Sequence, residues 1–155
     1  MIVVESREQL RELIDQRIKE QGPNCDLNDI DVRRIDDMSS LFSGSEFNGD
    51  ISKWDTSNVE AMSSMFYNSE FNGDISQWDV SRVVYMSYMF LYSVFNGDIS
   101  QWGVSSAENM NYMFSSSQFK GDLSKWNVSS AKHSRRAFYR SPLEGNEPKW
   151  YVKTE

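Results

Sequence analysis

The chain has 155 residues, of which 39% are hydrophobic, 14% are aromatic and one is a cysteine, Cys25. This length suits one domain with a real core, and the aromatic content excludes a disordered chain. A single cysteine excludes an internal disulfide. The formal net charge of −7 argues against general binding to nucleic acid or acidic membranes.

The charge is distributed unevenly along the chain. Residues 47–118 contain 8 acidic and 2 basic residues, whereas residues 119–155 contain 4 acidic and 8 basic ones. The first ten residues, MIVVESREQL, lack the basic start and apolar run of a secretory signal. No apolar run reaches the roughly 20 residues of a membrane helix. We therefore expect a soluble, cytoplasmic protein.

Residues 6–21 predict an N-terminal helix. The sequence SREQ at residues 6–9 is a capping box, and Gly22 and Pro23 end the segment. We expect this helix to close one end of the core, and residues 2–4 to add a short strand. One apolar stripe would face the core, formed by Leu10, Leu13, Ile14 and Ile18.

A repeat of 24 residues dominates the rest of the chain. The phrase FNGDISKWD at residues 47–55 returns as FNGDISQWD, FNGDISQWG and FKGDLSKWN. Residues 25–42 are a divergent copy in which Ile30 replaces tryptophan. A fixed period of this length predicts stacked repeats with a shared core. We divide the single domain into an N-terminal strand and helix (1–22), five repeats (23–142) and a partial sixth repeat with a C-terminal cap (143–155). The tryptophans mark the register at Trp54, Trp78, Trp102, Trp126 and Trp150.

Each repeat predicts a short strand followed by a short helix. In FNGDISKW, Asn-Gly supplies backbone freedom for a bend, and the apolar residues that follow suit a strand. SNVE at residues 57–60 is a candidate capping box, and the apolar residues beyond it have helical spacing. The predicted fold is an α/β solenoid, a leucine-rich-repeat-like stack of parallel strands and helices with five full coils, a partial sixth and an N-terminal capping helix. The helical face would contain Val59, Met62, Met65 and Phe66.

The sequence FNGDISQWDVSRVVYMSYMF, at residues 71–90, resembles the BspA-type bacterial surface-protein repeat, which is leucine-rich-repeat-like. The resemblance covers residues 25–142. It implies a solenoid and a role in binding or adhesion rather than catalysis. Members of that family are often long secreted proteins with a signal and an anchor, whereas this chain is short and shows neither. Short members without a signal would suit an intracellular partner-binding role, such as an immunity protein against a secreted toxin.

Two columns of repeated residues suggest ligand sites. The recurring aspartate could bind calcium, but calcium needs six to eight oxygens, and each repeat offers one constant carboxylate. We favour aspartates that bond the backbone of their own bend. The tryptophans could stack sugars or bases, but Ile30 in their column favours a core role. The aspartates are Asp26, Asp50, Asp74, Asp98 and Asp122.

No catalytic constellation can be assembled around His133, the one histidine. No Ser-His-Asp triad, zinc cluster or phosphate loop is present in the sequence. Paired acids for glycoside hydrolysis remain an alternative, but nothing singles out a pair. We expect no enzyme and no cofactor.

Residues that depart from the repeat are free to serve recognition. Tyrosines on a rigid scaffold are typical interface anchors, although some of them would instead pack between neighbouring repeats. A basic set, Lys132, His133, Arg135, Arg136 and Arg140, forms either a second binding patch or a solvated capping helix. The predicted partner-binding residues are Tyr67, Glu70, Tyr85, Tyr88, Leu91, Tyr92, Val94, Tyr112, Arg135 and Arg136.

These features predict a non-enzymatic protein that binds one protein partner and neither nucleic acid nor membrane. The sharper hypothesis is an immunity or antitoxin protein whose acidic body covers a basic toxin, such as a nuclease-type effector. The main alternative is a fragment of a surface adhesin that binds host protein or glycan, and a third is a calcium-dependent module. We expect a monomer or a weak end-to-end dimer through the edge of the partial sixth repeat.

Overall fold

The computed structural model of the chain describes residues 1–153. Strand β1 is Ile2–Val3, helix α1 is Arg7–Gln21 and strand β2 is Ile30–Asp31. The two strands pair in parallel, with Ile2 opposite Ile30. Within residues 1–153, no helix is long and apolar enough to cross a membrane.

Helix α1 confirms the prediction for residues 6–21. The Ser6 hydroxyl accepts a hydrogen bond from the backbone N–H of Gln9 at 3.1 Å, which caps the first turn. Gly22 ends the helix with φ 89°, a left-handed conformation that glycine adopts without strain. Leu10 and Ile14 are buried. The predicted strand at residues 2–4 is also present, over the two residues of β1.

The predicted α/β solenoid is wrong. Residues 32–153 contain turns and isolated bridges but neither helix nor strand. In the segment predicted to form a strand, one bridge joins Asp26 to Asp50. The bridges that recur lie instead where each predicted helix would run, and they join residues 24 positions apart. They link Asp37 to Ala61, Ala61 to Tyr85, Tyr85 to Asn109 and Asn109 to His133.

Backbone conformation explains why no helix forms in the repeats. Ser64 and Asn68 have φ of 58° and 49°, and a right-handed helix has no place for left-handed residues every four positions. The chain makes successive turns instead, in which the N–H of Met65 donates to the carbonyl of Met62 at 3.2 Å. The same two columns are left-handed throughout, at Ser40, Tyr88, Tyr112 and Arg136, and at Gly44, Tyr92, Ser116 and Arg140.

Every second residue of these turns bonds to the next repeat. The N–H groups of Met62 and Ser64 donate to the carbonyls of Tyr85 and Ser87, at 2.8 and 2.9 Å. Phe66 and Asn68 continue the series, and the same four positions donate from residues 38–44, 86–92 and 110–116. Of the intervening N–H groups, those of Met65 and Tyr67 bond within their own turn. The segment thereby pairs most of its backbone N–H groups without regular secondary structure.

Stacked aromatic rings fill the core. Phe66 and Phe90 lie 5.7 Å apart between ring centroids and are nearly parallel, as are their equivalents in the other repeats. Trp78 is 4% exposed, and its indole N–H donates to the carbonyl of Ile51 at 3.0 Å. The same bond joins each tryptophan to the preceding repeat. The prediction that the tryptophans belong to the core is confirmed.

The Asn-Gly pair does not have the predicted role of supplying backbone freedom for a bend. Gly49 does not have positive φ, so backbone freedom is not its role. A Cβ at Gly49 would lie 1.8 Å from the carbonyl oxygen of Cys25, so glycine is needed for the close approach of the preceding repeat. The asparagine links repeats, because the Asn48 side-chain oxygen accepts from the N–H of Asn72 at 2.8 Å.

Candidate functional site

An exposed aromatic patch lies on the third repeat. We define this patch as Tyr85, Tyr88, Tyr92 and Val94, whose exposed fractions are 53%, 40%, 55% and 37%. The methionines and phenylalanine between them, Met86, Met89 and Phe90, are fully buried. The segment therefore divides cleanly into a core face and a solvent face.

Left-handed turns hold the patch in place. Tyr88 and Tyr92 have φ of 61° and 58°, and their N–H groups donate to the carbonyls of Asn111 and Ser115 at 2.8 and 3.1 Å. The side chains are thus presented from backbone that is bonded to the next repeat. Such pre-organised aromatic side chains lose little entropy when they bind a partner.

Two more tyrosines support the patch from the neighbouring repeats. Tyr112 stacks on Tyr88 with ring centroids 5.3 Å apart, and Tyr67 meets Tyr92 edge-on at 6.0 Å. Tyr67 and Tyr112 are half-buried, as is Leu91. The alternative expectation, that some tyrosines pack between repeats, therefore describes Tyr67 and Tyr112. The structure brings these four tyrosines together as pairs.

Acidic side chains surround the patch. Glu70 is exposed and occupies the position of Val94 one repeat earlier. Glu60 is exposed too, and its carbonyl accepts from the N–H of Tyr85 at 3.3 Å. The Glu108 carboxylate pairs with Lys132 at 2.6 Å, and this contact raises the pKa of the lysine. Glu108 is therefore neutralised, whereas Glu60 and Glu70 form no ion pair among the described residues and favour a partner with basic groups.

Arg135 and Arg136 do not join the patch. Arg136 occupies the column of Tyr88 and Tyr112, two repeats beyond Tyr88, and both arginines are exposed near the C-terminal end. The alternative of a capping helix for the basic set is wrong, because this segment consists of turns and an isolated bridge. Arg136 lies over the ring of Tyr139, 5.1 Å from its centroid.

Tyr139 is an exposed aromatic residue that the sequence prediction missed. It is 38% exposed, and a second arginine, Arg140, also lies over its ring, at 5.2 Å. The signal was present, because Tyr139 occupies the column of Tyr67. Its neighbours are cationic, so it belongs to a surface of different charge from the aromatic patch.

The aspartate column has a structural role. The Asp50 carboxylate accepts from the Ser52 N–H at 2.9 Å and from its hydroxyl at 2.7 Å. These bonds help to hold the pKa of Asp50 below its usual range, the Ser52 side chain making the largest contribution. The prediction that each aspartate bonds its own bend is confirmed, since Asp26, Asp74, Asp98 and Asp122 each accept from the N–H two residues later.

The described residues hold no group of three or more histidine, cysteine, aspartate or glutamate side chains placed to bind a metal ion. Within the same residues, every buried side-chain nitrogen and oxygen has a hydrogen-bond partner. Among the described residues, the aromatic patch is the candidate binding surface because of its exposed tyrosines.

The comparisons with known proteins agree with a repeat protein. One family model, described as Mycoplasma protein of unknown function, DUF285, matches residues 10–94 and again residues 92–154. No curated protein and no solved structure matches the chain. The two matches run consecutively from within α1 through all the repeats. The chain therefore belongs to the DUF285 family.

Proposed function

We propose that this protein binds one protein partner through the aromatic patch and catalyses no reaction. The observation that carries the proposal is the exposure of Tyr85, Tyr88 and Tyr92 on backbone that is hydrogen-bonded to the neighbouring repeats. Exposed aromatic clusters on rigid scaffolds are typical protein-binding surfaces.

Stacking does not require these tyrosines. The second repeat has the same backbone conformation but carries Ala61, Ser64 and Asn68 at the corresponding positions. The third repeat thus carries large exposed side chains that the core does not need. Because equivalent positions of the second repeat do without large side chains, the tyrosines of the third repeat are better explained by binding to a partner than by stacking.

The acidic side chains around the patch support a basic partner. We propose an immunity or antitoxin protein, acting in the cytoplasm, that covers a basic toxin domain such as a nuclease. The excess of acidic residues between 47 and 118 would accelerate association with such a domain.

A second candidate is a surface adhesin that binds host protein or glycan. It is favoured by the resemblance of residues 71–90 to BspA-type repeats, and under this proposal the chain is a member of that type. The aromatic patch would then contact a host ligand.

The first test replaces two tyrosines of the patch by the residues found at the same positions of the second repeat. Tyr88→Ser with Tyr92→Asn installs the second-repeat residues, which already adopt positive φ at these positions. Protein captured from the native host would be identified by mass spectrometry, purified, and titrated against the wild type and the double variant. We expect binding to weaken by at least about tenfold, because two anchor side chains are lost, and the melting temperature to change little.

Tyr139→Ser is the matched control, because it removes an exposed tyrosine outside the patch and installs the residue that its column has at Ser115. It should leave affinity unchanged. Equal loss in the control, or normal binding by the double variant, would show that the patch is not the interface. A captured toxin that the protein inhibits supports the immunity proposal, whereas binding only to host cells or matrix supports the adhesin.

A further inference from the structure

The last repeat contains a row of backbone donors that have no partner among residues 1–153, and it runs from exposed Arg136 and half-buried Ser134 to buried Phe138. In each earlier repeat, four alternating N–H groups donate to the next repeat, as Met110 does to the carbonyl of His133 at 2.7 Å. One repeat later, Arg140 is bonded to the Glu144 carboxylate. The other three N–H groups of this repeat have no hydrogen-bond partner among residues 1–153. We call them the donor edge, and they belong to Ser134, Arg136 and Phe138.

The donor edge offers donors without acceptors. The carbonyls of Ser134, Arg136 and Phe138 accept from N–H groups three residues later in their own turns, each at 3.2 Å. An ordinary strand edge alternates donors and acceptors. The complement of this edge is therefore a row of oxygen atoms.

The other end of the stack is closed against a second copy. The carbonyl of Ser39 occupies the position that would accept from such an edge, and it already accepts from Arg7 of α1 at 2.7 Å. Arg11 binds the neighbouring carbonyl of Ser40 at 2.8 Å. Because α1 already engages the Ser39 carbonyl, head-to-tail stacking of two copies would have to compete with the Arg7 bond.

A groove of about 540 Å³ runs beside the donor edge. Its lining combines apolar residues, among them Ala131, Trp150 and Val152, with the basic residues Lys132 and Arg135. A smaller cavity of about 120 Å³ adjoins Phe138 at the far end of the edge. There is room here for a short extended chain.

Positive charge is available around the edge. Arg135, Arg136 and Arg140 are exposed, and none is paired with a carboxylate among the described residues. The nearby acids are engaged with backbone, since Glu144 accepts from Arg140 N–H and Glu147 from Gly145 N–H. The guanidinium groups can therefore receive carboxylates from a partner.

We propose that the donor edge binds an extended acidic peptide segment of another protein. Alternate carbonyls of the segment accept from the donor edge, its carboxylates pair with Arg135 and Arg136, and its apolar side chains lie on Trp150 and Val152. Extended peptides present alternate side chains to opposite sides, so an alternating acidic and apolar segment can use both the basic and the apolar residues of the lining. A nucleic acid has no such apolar side chains, and the acidic repeats would repel it. This surface is separate from the aromatic patch.

The test uses a fluorescein-labelled peptide of about eight residues in which Asp and Val alternate, with the Asn-Val peptide as its uncharged counterpart. Fluorescence anisotropy measures binding to the full chain, and amide chemical shifts locate it. We expect binding of the Asp-Val peptide with downfield shifts at the Ser134 and Arg136 amides. Arg135→Glu should weaken binding about three- to tenfold, since an exposed pair becomes a repulsion. Arg82→Glu, an exposed arginine in the third repeat, should not.

Other results would overturn the proposal. These are equal binding of the two peptides, shifts confined to other amides, and tighter binding of a single-stranded oligonucleotide at the same amides. A dimer whose formation perturbs the donor edge would assign the edge to self-association instead.

Discussion

At the scale of single residues, the close spacing of repeats decides which side chains are tolerated. Gly49 and Gly103 illustrate the contrast. A Cβ at Gly49 would collide with the Cys25 carbonyl, whereas a Cβ at Gly103 would have no atom within 4 Å. Neither residue has positive φ, so the comparison isolates the effect of space from that of conformation.

We predict opposite effects of alanine at these two glycines. Gly49→Ala should lower the free energy of unfolding by about 1–3 kcal/mol or more, because backbone must move to admit the methyl group. Gly103→Ala should be neutral or should raise it by up to about 1 kcal/mol, because alanine restricts the unfolded chain. Urea denaturation of both variants measures the difference. Equal stability of the two would contradict the close approach.

At the scale of elements, the sequence predicted the N-terminal helix and the period but not the interior of the repeat. Ser6, Gly22 and the apolar stripe of α1 are local signals that act within one element. The spacing of Met62, Met65 and Phe66 fits a helical face and fits equally well the observed series of turns, which buries the same three residues. What excludes the helix is positive φ at Ser64 and Asn68, for which Gly44 in the Asn68 column was the main sequence hint.

The exposed tyrosines could be predicted only in part, because the sequence shows which residues depart from the repeat but not which rings lie beside them. Departure from the repeat identified Tyr85, Tyr88 and Tyr92, which are exposed. It did not separate them from Tyr67 and Tyr112, because their half-burial depends on which rings the neighbouring repeats place beside them.

A glycine scan of one turn tests its conformation. Ser64→Gly should hold or raise stability by up to about 1 kcal/mol, because glycine removes the cost of a left-handed backbone. Ser63→Gly, at the adjacent residue without positive φ, should lower it by about 0.5–1 kcal/mol through backbone entropy. Thermal denaturation gives both values. If the segment were a helix, both substitutions would destabilise it.

At the scale of the whole molecule, the aspartate column links stability to pH. Hydrogen bonds from serine hydroxyls contribute most to lowering the pKa values of Asp50, Asp74, Asp98 and Asp122 below the ordinary value of 3.8. Asp31, beside Arg33, has a pKa of about 2. Because the folded state binds these protons more weakly than the unfolded chain, their contribution is complete above pH 3.8 and is lost as pH falls further.

We therefore predict a constant urea midpoint from pH 7 to about pH 5 and a steady fall below about pH 4. Ser52→Ala removes a hydroxyl that donates to the Asp50 carboxylate at 2.7 Å and helps to hold the pKa of Asp50 down. This variant should have a lower free energy of unfolding than the wild type at pH 7. The difference between the two should become smaller near pH 2, as the aspartate becomes protonated in both. A difference that stayed constant with pH would exclude the aspartate as its cause.

The hydrogen bonds between repeats reach only from one repeat to its neighbours, which has a consequence for the deletion of a repeat. Excision of residues 71–94 would join Glu70 to Phe95 and leave every remaining residue in its column. Residues 71–78 and 95–102 have the same sequence, FNGDISQW, so the residues that meet at the new junction are the ones that met there before. A single deletion of this kind would remove Tyr85, Tyr88 and Tyr92 together. Glu70 would then be followed by Phe95, as it is now followed by Phe71. The exposed aromatic patch is thus confined to one exchangeable unit of 24 residues, and its removal leaves the columns of the core in register.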